Sequence, residues 1–317
     1  PDKKVKLNRP SKLGLEFVNG MKLALESRQF PGFDDIDVRV FNTKKSDDIT
    51  SDLIVNELPN YAPDLILGPI FNGPSKRIVE YANREGIPHF VPFSPKFSLV
   101  DNTEQSFLAT SGIQTQMQYL AKFVTDTIHA RSVTVVTDGS SVAKYLSSAF
   151  KTSLKQSNTP ITIRDAFLPD VYKVDDFHAR LKSSPTDVVY MPMVKPEVAN
   201  YFLTKMFTDS IGTQIIGLQD WPKFSRLETD LLSNFKVMWP AAQREANDST
   251  KFERFYDDYL RTYDAFPSEA AMRGYDLVTF VLENYGQYAK PITIAEAIHA
   301  APRWRGTLQD YEYDEHQ

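Results

Sequence analysis

The sequence of 317 residues has no cysteine, five histidines and no long apolar run. Without cysteine there can be no disulfide, no thiolate zinc site and no cysteine nucleophile. The longest nearly apolar runs, residues 64–71 and 187–194, are far shorter than the ~20 residues that a membrane-spanning helix needs. A net charge of −5 argues against binding along nucleic-acid phosphates, which usually requires a basic surface. A cysteine-free chain suits an oxidising compartment, although many cytosolic chains also lack cysteine.

Motifs for catalysis are absent as well. Residues 68–75 lie between a predicted strand and a predicted helix, as a phosphate-binding P-loop would, but Pro74 stands where that loop needs lysine. No G-x-G-x-x-G follows a strand, and the histidines lack the spacing of metal-binding pairs. The segment from Asp138 to Ser141 lacks the glycines of a nucleophile elbow. We therefore expect no cofactor and no metal, and a hydrolase or transferase is the weakest alternative.

Short β-rich runs alternate with amphipathic helices along the chain. Residues 187–193 are apolar on both faces, which is typical of a parallel strand covered by helices. The predicted strands are 35–41, 64–67, 89–93, 132–137, 161–166, 187–193, 214–218 and 236–239. The predicted helices are 11–26, 47–58, 74–84, 113–130, 142–156, 174–182, 196–210, 249–263, 268–285 and 292–300. So many strands exceed one comfortable open sheet, which indicates an α/β protein with two doubly wound sheets. A polar stretch, residues 96–105, separates two blocks, and residues 302–317 are expected to be irregular.

Three stretches carry a resemblance to a known family. Residues 64–94 read DLILGPIFNGPSKRIVEYANREGIPHFVPFS, residues 255–282 read FYDDYLRTYDAFPSEAAMRGYDLVTFVL, and residues 14–27 read GLEFVNGMKLALES. In this order and spacing the chain resembles the type I periplasmic binding proteins, the family of the leucine/isoleucine/valine-binding protein and of receptor ligand-binding regions.

The resemblance implies two doubly wound, Rossmann-like lobes with a ligand cleft between them. Lobe one would comprise residues 1–112 and 241–303, and lobe two residues 113–240 and 304–317. The implied function is a non-enzymatic, extracytoplasmic or periplasmic solute-binding protein, alone or within a longer or lipid-anchored protein. It would close its lobes on a small polar ligand, such as an amino acid, for ABC-type uptake or sensing. The implied partners are that ligand and an ABC permease or a cell-envelope protein, with no nucleic acid.

Family members hold the carboxylate of an amino acid with backbone N–H groups and hydroxyls of the first lobe. A helix that begins near Pro74 would direct its free N–H groups at the loop before it. The positions that match the family's first-lobe loops are Phe71, Asn72, Gly73, Phe93, Ser94 and Pro95.

On the second lobe, the resemblance implies an acidic residue that pairs with the ligand's ammonium. Asp220 matches this position, and the neighbouring ring of Trp221 could add to the binding of a cation. The alternative is that Asp220 caps a turn and Trp221 packs in the core. Asp138, Ser140 and Met193 lie in other loops that follow predicted strands, so they are expected to line the same site.

A second function is compatible with the same fold. Some chains similar to this family have lost the small ligand and act as interaction or regulatory modules of the cell envelope. Filling of the cleft by Phe71 and Phe93 would favour that alternative.

Overall fold

The computed structural model describes residues 8–27, 30, 33, 35–101, 103–157, 159–209, 212–241, 249–286, 292–307, 310 and 311. The chain divides into two compact units, Pro1–Gly112 with Gln243–Gln317, and Ile113–Ala242. Each unit contains a parallel sheet with helices in its connections, so the predicted α/β fold class is confirmed.

The elements are numbered along the chain. The helices are α1 (Arg9–Ser27), α2 (Asp47–Asn56), α3 (Leu58–Tyr61), α4 (Asn72–Glu85), α5 (Ile113–Lys122), α6 (Ser141–Gln156), α7 (Val174–Ser183), α8 (Pro196–Asp209), α9 (Thr229–Asn234), α10 (Ser249–Tyr263), α11 (Glu269–Gly286) and α12 (Ile294–His299). The strands are β1 (Ile66–Leu67), β2 (His89–Val91), β3 (Ser106–Leu108), β4 (Ser132–Thr137), β5 (Thr162–Phe167), β6 (Val188–Tyr190), β7 (Gln214–Ile216), β8 (Trp304–Arg305) and β9 (Asp310–Tyr311).

The first unit is built on a parallel sheet of order β1-β2-β3. Phe90 on the central strand is paired in register with Leu67 and Phe107, and it is almost fully buried. Because the strands run parallel, the loops that follow β1, β2 and β3 emerge at one edge of the sheet.

Two helices of this unit approach each other unusually closely. A side chain at Gly20 of α1 would collide with the carbonyl of Ala271, and a side chain at Gly274 of α11 would collide with the carbonyl of Phe17. Only glycine permits such contact between helix backbones. The contact fixes α11, most of whose residues are buried, against α1.

The second unit has a parallel sheet of order β5-β4-β6-β7. Strand β6 is apolar and buried at each residue, and the four inner residues of β4 are buried, whereas the edge strand β5 includes Arg164 and Asp165 and is exposed or half-buried. One core cluster contains Phe202 and Met193, and another contains Phe150 and Tyr190. Because helices cover both faces of the sheet at β6, the sequence of this strand lacks polar alternation.

One predicted strand of the first unit is wrong. Residues 35–41 alternate in the sequence as a strand does, but they pair with no strand among the described residues. The side chains of Val38 and Val40 are 48% and 56% exposed. Alternation specifies a half-buried face only where a neighbouring strand completes the ladder, and here none of the described strands lies alongside. Conversely, β3 was not predicted, because it is short and follows a polar stretch.

The predicted placement of the C-terminal residues in the second lobe is also wrong for the part that is described. Trp304 and Tyr311 belong to the antiparallel pair β8-β9, and both rings pack against Phe280 of α11. The backbone N–H of Thr307 donates to Asp276 Oδ1 at 2.8 Å. Burial of these aromatic rings holds the segment on the first unit. Residues 308, 309 and 312–317, which the same prediction includes, lie outside the described residues.

Candidate functional site

A buried histidine fixes the loop that follows β1. The two ring nitrogens of His89 lie 2.9 Å from the Gly68 carbonyl oxygen and 3.0 Å from the Ser106 hydroxyl. Because a carbonyl can only accept, Nε2–H donates to Gly68, and Nδ1 accepts from Ser106. Burial lowers the pKa of His89 to about 4, so the ring is neutral at physiological pH. The loop at Gly68 is thereby tied to the central strand.

Phe71, Asn72 and Gly73 lie where α4 begins. Phe71 is the residue before the first turn, and the Ser75 hydroxyl donates to its carbonyl at 2.9 Å. Asn72 and Gly73 are exposed in the first turn, whose N–H groups have no partner within the helix. The predicted N–H donors are therefore at a helix N-terminus.

A carboxylate of the protein already stands beside this turn. A side chain at Gly73 would collide with the carboxylate of Asp47, the first residue of α2. The Lys45 ammonium lies 5.1 Å from the centre of the Phe71 ring. An incoming anion would meet the negative charge of Asp47 as well as the positive end of the helix.

The loop after β2 contains Phe93, Ser94 and Pro95. The Phe93 ring is half-buried and meets Phe17 edge-on at 5.4 Å between ring centres. Ser94 is buried, and its hydroxyl oxygen accepts the backbone N–H of Lys96 at 3.3 Å. Pro95 is half-buried and has no N–H to donate.

Arg273 and Thr110 lie beside this loop, and they were missed by the sequence analysis. Arg273 Nη1 donates to the Thr110 hydroxyl at 2.6 Å, and the guanidinium carbon lies 5.4 Å from the centre of the Phe93 ring. A signal was present in the sequence: between residues 270 and 282 of a helix that is otherwise apolar or small, the charged residues are Arg273 and Asp276. Charged residues are rarely buried without a specific partner.

In the second unit, Asp138 joins two loops. Its Oδ1 accepts the backbone N–H of Ser140, and its Oδ2 accepts the backbone N–H of Val194, both at 3.0 Å. Asp138 is buried, so it holds the loops after β4 and β6 in position. Ser140 caps α6, because its hydroxyl oxygen accepts the N–H of Ala143 at 3.2 Å.

Of the two alternatives for Trp221, the structure shows the one in which the ring packs in the core. Its ring is fully buried in the core of the second unit, and the indole N–H donates to the carbonyl of Met193 at 2.9 Å. Met193 itself is fully buried. Neither side chain is available to a ligand at this sheet edge, so the expectation that they contact one is wrong. Their shared hydrogen bond positions the loops instead.

Asp220 is adjacent to Trp221 in sequence but lies in a different environment. Its side chain is 59% exposed, and its carboxylate is 3.6 Å from the ammonium of Lys223. The expected carboxylate–indole pair is therefore not formed, since the ring points into the core. Asp220 remains as an exposed carboxylate in the loop after β7.

Two further features concern the described part of the chain as a whole. No group of three or more histidine, aspartate and glutamate side chains is arranged there to hold a metal ion. In the same residues, every helix is too short or too polar to cross a membrane.

The comparison with known families decides the identity of the fold. The family model described as "Periplasmic binding protein" matches residues 12–314. The chain belongs to this family. The predicted resemblance is thereby confirmed, as is the fold that it implied.

Individual proteins are only distantly similar to the chain in sequence. The Leu/Ile/Val-binding protein BraC3 of Rhizobium johnstonii is 26% identical over 133 residues, which are 42% of this chain and 36% of that protein. The matched segment thus spans little more than a third of the length of this curated relative.

Solved structures resemble the chain over nearly its whole length. A Rhodospirillum rubrum protein, provisionally assigned as a branched-chain amino acid ABC transporter, gives a TM-score of 0.76 at 17% identity, covering 94% of this chain and 88% of that one. The ABC transporter substrate-binding protein of Desulfitobacterium hafniense in complex with Leu gives 0.64 at 16% identity, with 94% and 88% covered. A Rhodopseudomonas palustris solute-binding protein in complex with benzoate gives 0.54 at 16% identity, with 98% and 87% covered. At these identities the likeness shows a shared fold.

Proposed function

We propose that the protein is a non-enzymatic, extracytoplasmic solute-binding protein that closes two lobes on a small polar ligand for ABC-type uptake or sensing. The observation that carries the proposal is the match of a periplasmic binding protein model to residues 12–314. A match of this extent includes most of both compact units. The lobes of the proposed protein correspond to these units.

The ligands named for similar proteins support an amino acid or a related carboxylate. BraC3 is named as a Leu/Ile/Val-binding protein, and two of the similar structures hold leucine and benzoate. Leucine and benzoate each carry a carboxylate and an apolar group. These relatives favour small-ligand binding over the alternative of an envelope module without a ligand.

The proposed contacts lie at the carboxyl edge of the sheet in each unit. On the first unit they are the N–H groups of Asn72 and Gly73 and the loop that begins at Phe93. On the second unit they are the hydroxyl of Ser140 and the carboxylate of Asp220, with Asp138 as a positioning residue. Ligands of open α/β sheets bind outside the carboxyl ends of the strands, which supports this choice.

A thermal-shift screen tests the proposal. Amino acids, aromatic acids, short peptides, amides and sugars are each added at millimolar concentration to the purified chain. A ligand that binds only the folded state raises the melting temperature, because it stabilises by RT ln(1 + [L]/Kd). We expect a shift with at least one carboxylate, and isothermal titration then gives its Kd. If none of these compounds raises the melting temperature, the proposal is overturned.

The proposed partner in transport is an ABC permease. A permease would recognise the ligand-bound form, so the affinity between the two proteins should depend on the ligand. Binding of the ligand-saturated chain to permease in nanodiscs, compared with the ligand-free chain, tests this part. Equal affinity of the two forms would argue for a sensory role instead.

A further inference from the structure

Arg273 is a buried cation whose hydrogen-bonding capacity is only partly used by the protein. Its side chain is 9% exposed. Nη1 donates to Thr110 Oγ1 at 2.6 Å, and Nη2 donates to Glu269 Oε1 at 3.1 Å. Nε is buried and has no hydrogen-bond partner among the described residues. Since a guanidinium has five N–H donors, at least this buried one is unsatisfied.

The ends of two adjacent strands meet at Arg273. Thr110 lies two residues after β3, and its hydroxyl donates to the carbonyl of Pro92, the first residue after β2, at 3.1 Å. Phe93 follows, with its ring centre 5.4 Å from the guanidinium carbon. Because ligands of open α/β sheets bind outside the carboxyl ends of the strands, the guanidinium stands where a ligand is expected.

The charge of Arg273 is incompletely balanced by direct contact. Its carboxylate partner Glu269 is 47% exposed, so solvent screens that pair. Asp276 is fully buried one turn further along α11, but its Oδ1 accepts the N–H of Thr307. Burial lowers the pKa of the Arg273 guanidinium below its ordinary value, although arginine stays charged in proteins. A buried cation with an unused donor is costly unless another anion completes its surroundings.

The first turn of α4 is a poorer site for an anion. The Asp47 carboxylate lies against Gly73 in that turn, where it would repel a second carboxylate at short range. Arg273 presents a fixed positive charge, which contacts the uncharged hydroxyl of Thr110 at 2.6 Å and the carboxylate of Glu269, which solvent screens, at 3.1 Å. Compared with the N-terminus of α4, Arg273 therefore has the stronger attraction for an anion.

We propose that Arg273, more than the N–H groups of Asn72 and Gly73, binds the anionic group of the ligand on the first unit, and that the protein selects ligands that carry a carboxylate, such as an amino acid or an aromatic acid. This inference rests on the proposed solute-binding function and deepens it. The planar guanidinium can direct Nε–H and a neighbouring Nη–H at the two oxygens of one carboxylate. Thr110 and Glu269 are positioning residues that hold the guanidinium plane, and the Phe93 ring borders the cation.

Matched probe pairs test the proposal. L-Leucine is compared with L-leucinamide, and benzoate with benzamide, because each pair differs in the carboxylate. Isothermal titration is carried out on the wild type, Arg273→Met, Arg273→Lys and the control Arg84→Met. Arg84 is an exposed arginine that pairs with its neighbour Glu85 on α4.

We expect the wild type to bind the carboxylate of a pair about 30-fold or more tightly than the amide, as for a buried charge pair. Arg273→Met should lose this preference, and its affinity for the carboxylate should fall by about the same factor. Arg273→Lys should be intermediate, because an ammonium keeps the charge but lacks the planar fork. Arg84→Met should behave as the wild type.

A spectroscopic readout covers the case in which Arg273→Met fails to fold. The Nε–H signal of Arg273 in a ¹⁵N spectrum is identified by its loss in Arg273→Lys. Leucine or benzoate should shift this signal and slow its exchange with water, whereas the amides should leave it unchanged. An unmoved signal in the presence of a bound carboxylate would overturn the assignment.

The outcomes separate this inference from the proposed function. If a carboxylate binds the wild type and Arg273→Met equally well, Arg273 is not the anion site, and solute binding stands. If the wild type binds amides as tightly as carboxylates, the proposed ligand class is wrong while solute binding again stands. If no compound of the screen binds the wild type, the proposed function fails and the inference falls with it.

Discussion

The indole N–H of Trp221 donates to the main-chain carbonyl of Met193 at 2.9 Å, and it does so from a fully buried ring. The bond joins the loop after β7 to the loop after β6. Asp138 makes a similar connection between the loops after β4 and β6. Buried groups thus hold the loops at the sheet edge of the second unit. The exposed carboxylate of Asp220 has no part in these two connections.

Replacement of Trp221 by phenylalanine should destabilise the protein. The Met193 carbonyl would lose its buried donor, and the smaller ring would leave a gap, so we expect a loss of about 2–4 kcal/mol in the free energy of unfolding. Urea denaturation measures it. Trp239→Phe is the control, because Trp239 is 36% exposed, and it should cost much less. Equal losses in the two variants would contradict the assigned role.

Gly217→Ala should also be destabilising. The new Cβ would lie 2.5 Å from Cε3 of the Trp221 ring, which is packed in the core and cannot move aside cheaply. Overpacking of this kind costs about 1–3 kcal/mol. Gly212→Ala is the matched control, since no atom lies within 4 Å of its Cβ position. Similar melting temperatures for both variants would show that the ring can shift.

Asp138→Ala should release two loops at once. Both carboxylate oxygens accept backbone N–H groups, so we expect a loss of about 2–4 kcal/mol in the free energy of unfolding. Amide hydrogen exchange should become faster at Ser140 and Val194, the two donors. Asp138→Asn keeps one acceptor oxygen and should be intermediate. Unchanged exchange at both amides in Asp138→Ala would refute the bridging role.

The buried ring of His89 predicts a pH dependence of stability. Its pKa is about 4 in the folded protein, below the ordinary value of 6.5, so below pH 6.5 the unfolded state binds the proton first. The free energy of unfolding should therefore fall as the pH drops from 6.5 to about 4, by about 3 kcal/mol from this group.

Urea denaturation across that pH range isolates the contribution of His89. In His89→Gln the free energy of unfolding should lack this contribution. Subtraction of its pH curve from that of the wild type cancels the titration of the carboxylates, which both proteins share. His129→Gln is the control, because His129 is exposed. If the pH curves of His89→Gln and the wild type run parallel, the folded protein does not hold His89 as a buried, neutral ring.

Asp220→Ala tests the second unit's part in the proposed function. If its carboxylate pairs with a ligand ammonium, affinity for L-leucine should fall by about 30-fold or more, while affinity for benzoate, which has no ammonium, should not change. Stability should change by less than about 1 kcal/mol, because the pair with Lys223 is exposed. Isothermal titration that finds leucine affinity unaltered would remove Asp220 from the site.

Local patterns predicted most of the elements because their causes are local. Residues 249–263 form α10 with the predicted bounds, since an amphipathic face and helical spacing lie within one segment. Residues 35–41 show the limit of this reasoning. Their alternation is as clear as that of a real strand, but a strand also needs a partner, and partners are chosen by packing over long distances in sequence.

The sequence alone determined the class of the protein: two α/β blocks, no recognisable catalytic motif, and a series of segments that resembles the periplasmic binding proteins. The tertiary structure decided which side chains stand at the sheet edges. Arg273 reaches Thr110 across 163 positions of the chain, and Trp221 turns away from its neighbour Asp220 into the core. Such contacts carry no periodic signal, because they depend on which elements pack together and not on the spacing of residues within one element.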